Sequence, residues 1–414
     1  MKRLSRRLNI DLGYWLGGSS ALMADYVLVA MIQLCVTLCF ANFVPKETYG
    51  LYGWVQAVCS LLVIFTLPGF PAAMVRSVAR GYEGDYARGQ RIRVLFGLIG
   101  SSVLIAMAVG YWASGFEQRA CGLLLASALF PLVFPLADAR SWLEGRQRFG
   151  WFAVAQVGSV ALASAATIAA IFISGNFLVI LAANFAGRAA SNLIVTFASL
   201  GRSANRETSE EFIPFGRNLT LSQIPGVLAY SFDRVYIGSV IDMVVMANYH
   251  LAFTVADPVR ILGTLVNKLA YPRLVNRSGP ELVSKVRRRV WLLIPGLALV
   301  GLAYGLLMNL AVPLFFSKYV DALPLINLMI VSSLIGVLTI YFETFFLSQD
   351  RLHKMYYTVS VGRPLLIIAL TPPLIYLYGA IGAVWARLAV RALASVVLWL
   401  RLLTLPGKAK EEVG

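Results

Sequence analysis

Blocks of about 20 apolar residues recur along the whole chain, each long enough to cross a hydrocarbon core of roughly 30 Å as a helix. They fall at 21–44, 50–74, 94–114, 121–143, 152–174, 177–200, 218–241, 246–271, 290–315, 322–347, 355–377 and 379–403. The longest connections, 75–93, 201–217 and 272–289, leave no place for a soluble domain. Of the 414 residues 59% are apolar and only 14% charged, where a soluble domain carries about a quarter charged residues. The pattern predicts an all-α polytopic membrane protein with about twelve transmembrane helices. The basic start "MKRLSRR" precedes a first block with no A-x-A-like cleavage site after it, so that block reads as a retained span.

The net charge of +16 invites a nucleic-acid reading, and its distribution argues against one. The N-terminal segment, the loops after even-numbered spans and the tail hold 24 of the 36 Lys and Arg, while the loops after odd-numbered spans hold three, Lys46, Arg119 and Lys318. Such asymmetry in short loops is the positive-inside signal and places both termini in the cytoplasm. The basic run "RSVARGYEGDYARGQR" (76–91) then faces anionic headgroups, not nucleic acid.

That run also repeats. Shifted by 197 residues, Arg76, Arg80, Arg88 and Arg91 fall on Arg273, Arg277, Lys285 and Arg288, and Tyr52 falls on Tyr249. Near the other end "ANFAGRA" (183–189) matches "ARLAVRA" (386–392), which places Arg188 on Arg391. We read a tandem duplication. Six spans per half keep both halves in one orientation, as two six-helix lobes related by a pseudo-two-fold axis along the membrane normal. Parallel repeats of this kind bind substrate at the interface between halves in transporters. The expected segments are a cytoplasmic N-terminal piece (1–20), an N-lobe (21–200), a cytoplasmic linker (201–217), a C-lobe (218–403) and a cytoplasmic tail (404–414).

Charges inside the spans are costly, about 2.5–3.5 kcal/mol each at a helix centre, and so must face one another, the bundle interior or water. They include the basic Arg188, Arg234, Arg260, Lys268, Arg363, Arg387 and Arg391 and the acidic Asp25, Asp233, Asp257 and Glu343. Asp257 and Arg260 are i,i+3 and can neutralise each other. Lys268 can snorkel to the headgroups. Asp233 and Arg234 are adjacent on the helix, so each needs its own partner. Arg387 and Arg391 are i,i+4 and repel, with no acid in their span, and Arg188 has none in its own. Two outcomes remain open: an anion-binding cavity, or a partner such as Asp233 or Asp25 on another helix. Arginine grips phosphate oxygens as a bidentate fork, which makes a phosphate-bearing cargo the natural one.

Several chemistries are excluded. The chain has no G-x-x-x-x-G-K-[ST], hence no P-loop for ATP. His250 and His353 stand apart, without the company a metal site or a triad needs. Cys35, Cys39, Cys59 and Cys121 lie inside spans and read as small hydrophobes. Outer loops as short as "SGN" (174–176) leave no platform for an enzyme active site.

The stretch "FDRVYIGSVIDMVVMANYHLAFTVADPVRILGTLVNKLAYPRL" (232–274) resembles the seventh and eighth spans of Wzx-type polysaccharide flippases. "ETYGLYGWVQAVCSLLVIFTLPGFPAAMVRSVAR" (47–80) resembles their second span. "FFSKYVDALPLINLM" (315–329) and "YGAIGAVWARLAVRA" (378–392) resemble the entries to their tenth and twelfth. The resemblance implies the fold of the multidrug/oligosaccharidyl-lipid/polysaccharide (MOP) exporter superfamily, two six-helix lobes around a cavity that opens alternately to each side. It implies a flippase of the bacterial inner membrane for undecaprenyl-diphosphate-linked oligosaccharide repeat units, as in O-antigen biosynthesis. The alternative is a multidrug or other small-molecule antiporter of the same fold, whose cavity would favour organic cations.

On this reading Arg188, Arg234, Arg260, Arg363, Arg387 and Arg391 are the cavity cations for the diphosphate. Asp25, Asp233 and Glu343 are the candidates for coupling to a proton or sodium gradient. No cofactor or metal is expected. The expected partners are the lipid-linked oligosaccharide, membrane lipids and the polysaccharide polymerase machinery, with no nucleic acid.

Overall fold

A computed structural model describes residues 12–263, 274, 280–349 and 353–405. Lys268, Arg273 and Arg277 lie outside the described residues, as does the side chain of His353. Among the described residues the regular structure is entirely helical. Ten helices are long and apolar enough to cross a membrane. The chain divides into two compact units, the first ending at Val227 and the second starting at Leu228.

The first unit holds α1 (Leu12–Phe43), α2 (Lys46–Leu62), α3 (Phe70–Ala79), α4 (Gly84–Ala113), α5 (Glu117–Val133), the short α6 (Ser141–Gly145), α7 (Phe149–Ile173), α8 (Phe177–Leu200) and the start of α9 (Phe212–Val240). Within it α4 packs on α5, α5 on α8, and α7 on both α8 and α1. The expected second span is broken in two. After α2 comes a 3-10 turn, Val63–Thr66, and then Leu67 in the left-handed region at φ 56°. Pro68 disfavours helical backbone at the residue before it. Gly69 follows where α9 comes closest: its amide donates to Thr220 Oγ1 at 3.1 Å, and a Cβ there would collide with the Leu219–Thr220 backbone.

The connector 75–93, expected to be cytoplasmic, is mostly helix. Its Arg88, Arg91 and Arg93 ride on the first turns of α4, whose 30 residues span about 45 Å at 1.5 Å per residue. That exceeds the hydrocarbon thickness, so the helix emerges with its charges on the wet end. Arg93 is only 1% exposed, pairs with Asp138 at 2.7 Å and donates to the Thr66 carbonyl at 2.9 Å.

The segment after α8 is stitched to the α3–α4 turn. The buried Glu83 carboxylate accepts from Trp142 Nε1, Ser203 Oγ and the Ala204 amide, and pairs with Arg146 at 2.5 Å. Asp85 accepts from Ser77 Oγ and from the Ser209 amide, while the Gly84 amide donates to the Glu207 carbonyl at 2.9 Å. Arg76 and Arg80 both reach Glu211, at 3.2 and 3.1 Å. Much of the 76–91 charge thus fastens the 201–211 segment.

The second unit holds the rest of α9, α10 (Met243–Ala256), α11 (Pro280–Phe315), α12 (Leu323–Ser348), α13 (His353–Tyr378) and α14 (Ala380–Thr404). α14 packs on α12 and α13, and α12 also carries α10 and α11. α11 presents Trp291, Leu292, Leu299, Leu302, Leu310 and Leu314 outward, a surface suited to lipid. α13 and α14 meet so closely that a Cβ on Gly382 would overlap the Leu374 carbonyl. Arg287 closes the C-terminus of α14, donating to the carbonyls of Leu402, Leu403 and Leu405 at 2.8, 2.9 and 2.7 Å, where a cation also complements the helix dipole.

Two of the twelve expected spans, 218–241 and 246–271, are absent from the ten apolar helices. The first lies in α9, where Asp233 and Arg234 interrupt the apolar run. The second starts as α10, breaks at Asp257–Pro258 and runs past the described residues after Gly263. The boundary between the units falls inside α9, after Val227.

Candidate functional site: an arginine pocket in the second unit

Four segments of the second unit converge on one pocket: the end of α9, α10 with the turn after it, the middle of α12 and the middle of α14. Arg387 and Arg391 lie one helical turn apart on α14 and both line the pocket, together with Arg260, Asp257, Ser332 and Ser333. Tyr230, Phe253, Ala256 and Met329 supply its less polar walls. The space enclosed, mouth included, is about 350 Å³.

The three arginines are held in different ways. Arg387 is committed. It grips both oxygens of the fully buried Asp233, with Nη2 to Oδ1 at 2.7 Å and Nε to Oδ2 in a short contact. Tyr249 OH donates to the same Oδ2, and the Arg234 amide donates to Oδ1 at 2.8 Å. Arg387 Nη2 also donates to the carbonyls of Tyr230 and Ala229, at 2.9 and 3.3 Å. A buried pair of this kind offsets its desolvation only because nearly every remaining donor and acceptor is used.

Arg391 has no such partner. Its guanidinium donates from Nη1 to Ser332 Oγ at 3.0 Å, and no acidic side chain among the described residues pairs with it. Arg260 is intermediate: Nη1 meets Asp257 Oδ1 at 2.7 Å, with both side chains nearly half exposed. Pro258 places this pair at the mouth by ending α10, since it has no amide to continue the ladder.

An aromatic pair braces these cations. Tyr230 and Phe253 meet edge to face, with centroids 5.3 Å apart. Arg234 lies 4.2 Å from the Phe253 centroid, Arg387 5.5 Å from it, and Arg260 4.8 Å from that of Tyr230. No acidic side chain among the described residues pairs with Arg234; its Nη2 donates to Ser231 Oγ at 3.1 Å. Ring faces stabilise guanidinium charge where counter-ions are scarce.

The remaining expected site residues lie elsewhere. Arg363 pairs with Glu343 at 2.8 Å, across α13 and α12, and neither lines the pocket. Asp25 is buried on α1, within electrostatic reach of Arg140. Arg188 belongs to the first unit, half-buried on α8. No acid among the described residues pairs with it, and it lies within electrostatic reach of Tyr52 and Cys59. One turn before it, Asn184 joins Gln56 and Thr167 in a buried polar chain, at 3.1 and 2.9 Å.

Asp257 with Arg260 forms the pair that their spacing suggests. Of the three arginines left without an acid in their own spans, Arg188 and Arg391 pair with none among the described residues, while Arg387 takes Asp233 from α9. Sequence reasoning did not find Tyr230, Phe253, Ser332 or Ser333, nor the Arg93–Asp138 pair. The one signal within reach was Tyr249, which obeys the 197-residue shift.

A family model described as "Polysaccharide biosynthesis protein" matches residues 16–278. The chain belongs to this polysaccharide biosynthesis family. No curated protein sequence matches it. Among solved structures it is similar to the lipid II flippase MurJ in an inward closed conformation. The TM-score is 0.70 at 15% identity, over 94% of this chain and 88% of that one. It is also similar to an inward-facing multidrug resistance transporter of the MATE family. There the TM-score is 0.63 at 12% identity, over 92% and 94% of the two chains. An outward-facing MATE transporter gives 0.57 at 15% identity, over 93% and 94%. At such identities the likeness is one of fold. The chain has the fold of these MOP-superfamily structures.

Proposed function

We propose that this protein is a flippase that moves polyprenyl-diphosphate-linked oligosaccharide from the cytoplasmic to the outer leaflet of the bacterial inner membrane. It works by alternating access, with both termini cytoplasmic and no ATP hydrolysis of its own. The observation that carries the reading is the pocket lined by Arg260, Arg387 and Arg391, where the Arg391 guanidinium bonds a serine hydroxyl and no acid among the described residues. A fixed guanidinium with open donors in a site of reduced dielectric is a receptor for phosphate oxygens. The polysaccharide biosynthesis family and the lipid II flippase fold support a lipid-linked sugar as the cargo.

The glycan crosses in the wet cavity while the polyprenyl tail stays in lipid. An inside-negative potential favours outward movement of an anion by about 2.3 kcal/mol per charge at 100 mV. Any coupling ion enters this reading through Asp25 or Glu343, because the oxygens of Asp233 are already taken. A drug antiporter of the same fold is the rival, and a cationic pocket weighs against organic-cation cargo.

Reconstitution decides between them. Proteoliposomes containing the full chain should transfer a fluorescent polyprenyl-diphosphate oligosaccharide between leaflets without ATP, and should leave a lipophilic quaternary-ammonium dye where it was. Transfer of the dye and not of the glycolipid would overturn the reading.

A further inference from the structure

Two carboxylates serve the arginines of this pocket, in opposite styles. Asp233 is fully buried, is gripped through both oxygens and also accepts from Tyr249. Asp257 is 48% exposed, touches Arg260 through one oxygen and stands at the pocket wall. An ion pair between half-exposed groups three residues apart is weak and readily exchanged. Arg260 does not depend on Asp257 for its place, because the Tyr230 ring lies against its guanidinium at 4.8 Å. Released from Asp257, it stays at the wall with its fork of donors open, beside the Arg391 site.

Resting on the flippase reading above, we infer that Asp257 is a built-in competitor for the cargo's phosphate oxygens. It occupies Arg260 in the empty pocket, yields it to the bound anion, and takes it back to drive release. The anion is then held by Arg391, with Ser332 beside it, and by Arg260. Arg387 remains on Asp233 and contributes field without contact. A carrier must let go of its cargo as well as hold it, and a tethered carboxylate beside one of two receptor cations lowers affinity in favour of turnover. Asp257 is in this sense a positioning residue for release.

The test measures binding and turnover separately. Binding of inorganic diphosphate to the full chain in lipid nanodiscs is followed by calorimetry for the wild type, D257N, R260A, R391A and D257N/R260A. D257N should bind about two- to fivefold tighter, the worth of one exposed ion pair. R391A should lose the binding, and R260A should erase the D257N gain. In proteoliposomes D257N should saturate at lower cargo concentration and turn over more slowly, a split that a merely structural pair would not produce. Wild-type affinity in D257N alongside lost binding in R391A would overturn the competitor role and leave the anion pocket standing. Equal binding by wild type and R391A, or none by either, would bring down the pocket reading itself. If D257N does not fold, D257S at the same half-exposed turn carries the comparison.

Discussion

Asp233 and Arg387 make the strongest statement at the level of single residues. The contact is not local: 154 positions separate them, and one sequence could name Asp233 as a candidate partner without choosing it over Asp25 or over an open cavity. What the sequence does offer is the cost argument, that a charge inside a span needs a partner or water. It identifies the residues in need and narrows their partners without deciding among them. Asp257 and Arg260, three apart, were legible because helix geometry alone brings them together. The two pairs also differ in what their loss does. Asp233→Asn leaves the Arg387 charge buried with a neutral partner, and breaking a buried pair from one side costs about 3–5 kcal/mol. That loss is read as a fall in thermal or denaturant stability of the detergent-solubilised protein. Asp257→Asn, at an exposed pair, should move stability by less than about 1 kcal/mol. Equal losses from the two substitutions would refute the distinction between a fixed and an exchangeable arginine.

Helices were legible as apolar blocks, and their ends were not. Hydropathy marks where lipid begins, whereas a helix keeps going for as long as its backbone bonds are satisfied. α4 therefore starts ten residues before its block, with Arg93 buried against Asp138 where a loop arginine was expected. The break in the second span has a local cause, Pro68 after Leu67, and a tertiary one, the approach of α9 to Gly69. The tertiary cause sets a test with an internal control. Gly69→Ala forces a methyl into the Leu219–Thr220 backbone and should destabilise by about 1–3 kcal/mol, the range for overpacking. Gly226→Ala, further along α9 with open space around it, should be neutral or stabilising by up to about 1 kcal/mol. Thermal unfolding of the two variants side by side reads both signs, and a tolerated Gly69→Ala would remove the close approach from the account.

For the molecule as a whole, the apolar blocks sufficed for an all-helical membrane protein and the resemblance to polysaccharide flippases for the MOP fold, which the MOP-fold structures bear out. Residues that the 197- and 203-residue shifts align keep different company. Tyr249 holds Asp233, while Tyr52 accepts from Gln56 at 3.3 Å; Arg391 lines a pocket, while Arg188 sits beside a buried amide chain. The positions that the shifts align thus do not share a role, and the pocket had to be read from side chains of the second unit. Its defining group is Arg391, a cation in a membrane-spanning helix with a serine for a partner. Transport of a polyprenyl-diphosphate oligosaccharide by Arg391→Ala and Arg391→Lys, in proteoliposomes matched for protein content, tests that claim most directly. Losing the bonds of one guanidinium to an anion should cut transport about ten- to a hundredfold in the alanine variant. Lysine should restore part of it, since an ammonium keeps the charge and loses the fork. A well-folded Arg391→Ala protein that transports the cargo at the wild-type rate would contradict the account.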